Sequence, residues 1–394
     1  MKKTILLLFI IMISFYGTLL WAGDFGLLLD QNLALSGAGS ETDISYTGIL
    51  IPRFSILIGE NGGLYVSAGA NIQNDPWIVI PELLRTDFYW RFAASEIRLG
   101  RMLYADPLGY IANGLFDGAQ YSIDTNIGTF SAGGWYTGLL YKKRANITMT
   151  PEEYKSNEDP FKYSEFLDTY FAPKRIMASL SWEHPSISDL FSLNFSILGQ
   201  VDLSSSNLHS QYAILKAALP YNSFVFDLGG SFGLIENDGD LGIGLSGDIG
   251  VAWLLPTKIE DRLSLLGRFT SGVTENGKVK LFLPITTVLQ GYVLKEKLSG
   301  LSLISLGYLG RFHRTFSAGL YSTYFLLSDS GIYTASENNG HFYGNEFFAH
   351  LIWSPVSDIQ ANLGAGVFLP SMGNVAPDAD AFWRIELSLT ISLY

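Results

Sequence analysis

The chain has 394 residues, 16% of them charged and 14% aromatic, with 41 glycines and no cysteine. Its 25 basic and 37 acidic residues leave a net charge of −12, which argues against nucleic acid as a partner because a phosphate backbone rewards a basic footprint. The missing cysteines exclude disulfides, thiolate metal sites and a cysteine nucleophile, and so few charges, against about a quarter of residues in soluble domains, would leave a soluble protein of this length short of surface.

The chain begins with Lys2 and Lys3, an apolar run over 4–20, and the small residues Ala22 and Gly23. That order is the pattern of a secretory signal peptide cut after Ala22. Residues 1–22 are therefore read as a signal peptide and 23–394 as a single outer-membrane β-barrel domain. Removing the two lysines leaves 23 basic and 37 acidic residues, a net charge of −14. Strand-like alternation starts near Phe25, and the expectation is that no plug or passenger domain precedes it. No later segment offers the roughly 20 mainly apolar residues a spanning helix needs. The longest charge-free run, 359–377, contains Gln360, Asn362, Pro370 and Asn374.

Period-2 alternation, the mark of a strand with one apolar and one polar face, recurs along the chain. Residues 83–93 set Leu84, Thr86, Phe88, Trp90 and Phe92 against Arg85, Asp87, Tyr89 and Arg91. In 190–203, Phe191, Leu193, Phe195, Ile197 and Val201 oppose Ser192, Asn194, Ser196, Gln200 and Asp202. Residues 222–235, 241–253 and 383–393 repeat the pattern, with turns read at 236–240 and 274–278. Segments of about 10 residues suit a tilted bilayer crossing. A sheet in hydrocarbon must close to satisfy its backbone hydrogen bonds. The expected fold is thus all-β: a closed antiparallel transmembrane β-barrel, apolar face to lipid and polar face to a lumen. Phe191, Phe195, Phe226, Leu245, Leu387 and Leu389 are expected to face outward. Trp90, Trp135, Trp182, Trp253, Trp353 and Trp383 are expected to form interface girdles. The competing reading is a secreted β-sandwich, in which the apolar parity would be core.

Nineteen strand-like segments, against the even numbers of single-chain bacterial barrels, give about 18 strands, within 16–20. Two long polar insertions stand out, 142–173 and 328–342. Nine of the counted strands separate them, which would place them at opposite ends of the barrel.

By parity, the inward charges are Arg85, Asp87, Arg91, Glu96, Arg98, Asp202, Asp227, Asp248, Arg262, Arg268, Glu346, His350, Arg384 and Glu386. A charged lumen can select ions or anionic groups, or its charges can pair and stiffen the wall. The stretch "EIRLGRMLYADPLGYIANGLFDGAQYSI" (96–123) carries Gly100-Arg101 and Phe116-Asp117-Gly118-Ala119, and on these motifs it resembles the alginate-export family of outer-membrane barrels. That family's glutamine after Gly-Arg is Met102 here. The resemblance implies an 18-stranded monomer with a charged pore for an anionic polysaccharide, and Arg98, Arg101 and Asp117 as pore-wall residues.

The five histidines, at 184, 209, 313, 341 and 350, have no metal-ligand spacing, so neither an enzyme nor a cofactor is expected. The chain is read as a pore passing small polar or anionic solutes, anionic saccharides among them, by diffusion. Its lumen would be lined by Arg85, Asp87, Arg91, Glu96, Arg98, Arg101, Asp117, Arg262, Arg268 and Arg384. Its partners would be outer-membrane lipid, the barrel-assembly machinery and the solute. The rival is an adhesin-like barrel with a closed pore that binds through 142–173 and 328–342.

Overall fold

A computed structural model describes residues 23–74, 77–157, 159–204, 208–274, 278–328 and 340–394. The signal segment 1–22 and most of 328–342 lie outside the described residues. Strands β1 (Gly23–Ala38), β2 (Glu41–Ile58), β3 (Gly62–Asn74), β4 (Trp77–Phe92), β5 (Ser95–Ala105), β6 (Asn113–Thr125) and β7 (Gly128–Tyr136) precede a long insertion. After it come β8 (Arg175–Ile187), β9 (Phe191–Asp202), β10 (Leu208–Tyr221), β11 (Phe224–Asn237), β12 (Asp240–Leu254) and β13 (Arg262–Thr270). A second insertion carries the two-residue strands β14 (Leu289–Gln290) and β15 (Glu296–Lys297). The wall then finishes with β16 (Leu301–His313), β17 (Phe316–Leu327), β18 (Phe342–Val356), β19 (Ile359–Leu369) and β20 (Phe382–Leu393).

All strands except β14 and β15 form one 18-stranded antiparallel sheet, in which each strand pairs with its neighbours in sequence. Pairing of β1 with β20, from Leu27↔Leu393 to Ala38↔Phe382, closes it into a barrel. Closure removes the sheet edges that a bilayer would penalise. The outer face carries the apolar parity: Phe195 is 38%, Phe226 43% and Leu387 48% exposed. No helix among the described residues is long and apolar enough to cross a membrane. The crossing elements are the strands, nine to eighteen residues long.

One end of the barrel is trimmed to short turns such as 93–94, 126–127 and 222–223. The opposite end holds the long connections. Eight wall strands, not nine, separate the insertion after β7 from the connection after β17, so both leave from the same end. The expected turn at 236–240 is there, a tight hairpin with Asp238 and Gly239 both at positive φ, as a type I′ turn requires.

Of the turn expected at 274–278, residues 275–277 lie outside the described residues. The residues on either side of it belong to the insertion 271–300 between β13 and β16, which is not a wall hairpin. Two face assignments also change. The register of β3 with β4 slips at Ser67/Ala68, a bulge that leaves Leu84 buried, whereas Leu83 is exposed. Trp135 is buried inside the barrel, not in an outer girdle.

Candidate functional site

Part of the barrel interior is filled, and sequence parity alone does not reveal this. The β5–β6 hairpin leaves the wall at its tip. β4 and β5 pair only from Thr86↔Arg101 to Phe92↔Ser95, and β6 pairs with β7 only from Asp117↔Tyr136 downward. Residues 102–105 and 113–116 therefore pair with each other alone. Gly100 stands at the departure point with φ of +109°, and a β-carbon there would collide with the Thr86 carbonyl. Only glycine adopts this backbone at little cost.

The tip, 106–112, reaches the far wall. Asp106 shapes it by accepting hydrogen bonds from the N–H groups of Leu108, Gly109, Ile111 and Ala112 at 2.8–3.1 Å. The Tyr110 hydroxyl donates to Ser246 Oγ of β12 at 3.1 Å. The Arg268 guanidinium of β13 lies 4.4 Å over the Tyr110 ring. Leu108 takes the space a side chain at Gly229 would need.

The two insertions join the tip. Ile285 and Thr286 N–H donate to the Ile111 carbonyl, and Thr148 and Thr287 N–H tie 146–148 to 285–287. Leu108, Tyr110, Ile111, Leu140, Ile147, Phe282, Ile285 and Leu298 pack on the inward Phe116, Trp135, Met177, Leu198 and Tyr212 of β6–β10. On that side the inward face is apolar, not polar as expected.

Wall carboxylates hold the insertions from the other directions. Glu346, 1% exposed, accepts from the N–H groups of Tyr292, Val293 and Leu294 at 2.7–2.9 Å. Lys295 donates to Glu386 at 3.0 Å. Glu82 takes Arg144 Nε at 2.7 Å. Arg175, buried inside β8, binds Glu153 of the insertion at 2.7 Å and also Asp202.

A polar cleft stays open along β1–β3. There Tyr141, Lys143, Arg144 and Asn146 of the first insertion face Asp30, Asn32, Thr47, Asn71 and Gln73 of the wall across a cleft of 310 Å³. Burial pushes the Tyr141 hydroxyl up to about 12. A second, larger cavity of 880 Å³ lies between the two insertions.

The expected charges fall into distinct settings. Arg85 and Arg98 both donate to Asp87, and Arg91 pairs with Glu96 at 2.8 Å. Three arginines and two carboxylates thus leave one net positive charge on this patch. Arg262 stands on the inner parity of β13, close enough to Tyr292 to act on it electrostatically. Arg268 binds Asp248 and Gln290 at 2.9 and 2.8 Å, and so anchors the second insertion. Arg384 reaches Glu386 at 3.4 Å.

Arg101 and Asp117 depart from the placement the resemblance implies. They face each other across β5 and β6 on the parity of the exposed Leu99, Leu103 and Tyr121, not that of the buried Met102 and Phe116. Arg101 is nevertheless 4% exposed. It pairs with Asp117 at 2.8 Å and donates to the carbonyls of Leu83 and Leu139. Among the described residues, no cluster of side chains could hold a metal ion.

No protein-family model and no curated protein matches the chain, so the alginate-export resemblance gains no support. Solved structures do match over nearly the whole length. OccK2 (OpdF) of Pseudomonas aeruginosa in complex with glucuronate is 12% identical, with a TM-score of 0.62, covering 94% of this chain and 98% of that one. OccK10 (OpdN) of the same organism is 14% identical, with a TM-score of 0.61 over 94% and 100%. OccAB1 of Acinetobacter baumannii is 11% identical, with a TM-score of 0.61 over 94% and 97%. At such identities the likeness establishes a shared barrel fold.

Proposed function

We propose that the chain is an outer-membrane pore that passes small polar or anionic solutes by diffusion. The observation that carries this reading is a barrel interior with a packed apolar side and a polar cleft. An apolar cluster packs one side, while on the other Lys143 and Arg144 face Asp30 and Asn32 across a polar cleft. Fixed charge in a narrow, low-dielectric passage concentrates the opposite ion. Arg85, Asp87, Arg91, Glu96, Arg98, Arg262 and Arg384 are proposed as its lining. Arg268 anchors the second insertion, and Arg101 with Asp117 joins β5 to β6. The glucuronate complex of OccK2 is consistent with an anionic saccharide as one cargo. The adhesin reading draws less support, because Arg144 and Glu153 of 142–173 are tied to Glu82 and Arg175 inside the barrel.

Refolded protein in planar bilayers should give discrete conductance steps with reversal potentials that favour anions. A membrane that stays insulating would reject the pore. Export through a cleaved signal belongs to the same proposal, and protein recovered from envelopes should begin at or near Gly23. An N-terminal sequence starting at Met1 would contradict it.

A further inference from the structure

Where the β5–β6 hairpin swings inward, it leaves β4 with a bare edge. Above Thr86, β4 has β3 on one side and no strand on the other. In an antiparallel strand, alternate residues aim their backbone groups at the same neighbour, so Val79, Pro81 and Leu83 face the gap. Pro81 suits this place, since it has no N–H to leave unpaired. The three carbonyls are capped by side chains. Tyr163 Oη donates to Val79, Tyr170 Oη to Pro81 at 2.9 Å, and the Arg101 guanidinium to Leu83.

The level of this gap matters. Trp77 packs 5.6 Å from Tyr46 on the outer face, as an interface aromatic does, and the bare edge lies on the lipid side of it. Val79, Leu83, Leu103 and Leu139 flank the gap as exposed apolar side chains. Unpaired carbonyls are strongly disfavoured in hydrocarbon, so the cover is required. It is nevertheless a cover of single side-chain hydrogen bonds, not a strand ladder. On its inner side Ile80, Tyr141, Phe161 and Tyr170 form a separate apolar cluster. Tyr141 and the adjacent Arg144 belong also to the wall of the polar cleft.

We propose that the segment carrying Tyr163 and Tyr170 is a side door in the barrel wall, latched on the bare edge of β4, through which a solute with an apolar body and one anionic group passes between the lumen cleft and the membrane. Lys143, beside the Glu82-paired Arg144, holds the anionic end in water while the aromatic cluster takes the apolar body. Burial pushes the Tyr170 hydroxyl up to about 12, so the latch stays a donor at ordinary pH. The door rests on the barrel geometry and not on what diffuses along the lumen axis.

The chain has no cysteine, so Ile80→Cys gives one reporter thiol behind the door. In proteoliposomes it is labelled with a bilayer-soluble pyrene maleimide or with a charged, membrane-impermeant maleimide. Adding Tyr163→Phe and Tyr170→Phe removes both hydroxyls and keeps the rings. Labelling from the bilayer should then rise roughly ten- to thirtyfold, the effect of two hydrogen bonds of ordinary strength, while labelling by the charged reagent stays constant. Dodecanoate should slow the bilayer reaction, and acetate should not.

An unchanged bilayer rate in folded, heat-modifiable variant would show a permanently sealed wall and overturn the door. An equal rise with both reagents would show a collapsed loop and overturn it too. Indifference to dodecanoate would overturn the assigned solute. Tyr163→Phe alone, at an exposed ring, serves if the double variant does not fold. None of these readings uses conductance, so failure of the door and failure of the pore are told apart.

Discussion

Asp87 receives hydrogen bonds from both Arg85 and Arg98, so the charge patch on β4 and β5 is neither a bare arginine cluster nor a neutral network. Replacing Arg85, Arg91 and Arg98 with serine would leave Asp87 and Glu96 uncompensated. Reversal potentials should then move from anion towards cation preference at low salt, and the shift should shrink as screening sets in. A parent-like potential would remove this patch from the selectivity filter. Glu346 is a residue of another kind, since its carboxylate seats three consecutive N–H groups of the second insertion. Glu346→Ala would leave those donors without their acceptor at about 1–3 kcal/mol each. Amide exchange at 292–294 should accelerate by two orders of magnitude or more, with the rest of the wall unaffected. Unchanged protection at those amides would mean that other contacts hold the insertion.

At the scale of elements, the inward turn of the β5–β6 hairpin organises the interior. Its tip docks on β12 and β13 through Tyr110, and the two insertions dock on the tip. Cutting 107–111 down to two glycines should remove that bridge and raise the single-channel conductance severalfold. Conductance equal to the parent would place the narrow point elsewhere. The same hairpin explains the motif residues that drew attention in the sequence. Gly100 allows the departure from β4, and Arg101 with Asp117 stitches the fork it leaves. Their residue types were legible, but their role was not, because the fork is defined by a strand that fails to pair.

The whole molecule is a closed sheet with an apolar exterior, and this predicts opposite tolerance on adjacent residues. Leu387 points outward and is 48% exposed, whereas Ser388 shares the inner parity with Asn362, to which it is hydrogen-bonded. Leu387→Arg should cost about 2–4 kcal/mol near the bilayer midplane, read as a lower urea midpoint in vesicles. Ser388→Arg should leave the midpoint close to the parent's. Equal effects at the two positions would contradict the assignment of faces.

Strand identity, barrel closure and the outward parity of Phe195, Phe226 and Leu387 were determined by the sequence itself. Period-2 alternation is local, and a sheet surrounded by lipid has no way to leave its edges open. The tertiary structure decided what occupies the lumen. Residues 279–289 carry the apolar pattern of a strand yet fold inward, because Phe282 and Ile285 find Ile111 and Tyr212 there. Tyr110 reaches Ser246 across 136 positions of chain. Alternation says which side chains face inward; contacts between residues so distant in sequence decide whether they meet water or one another.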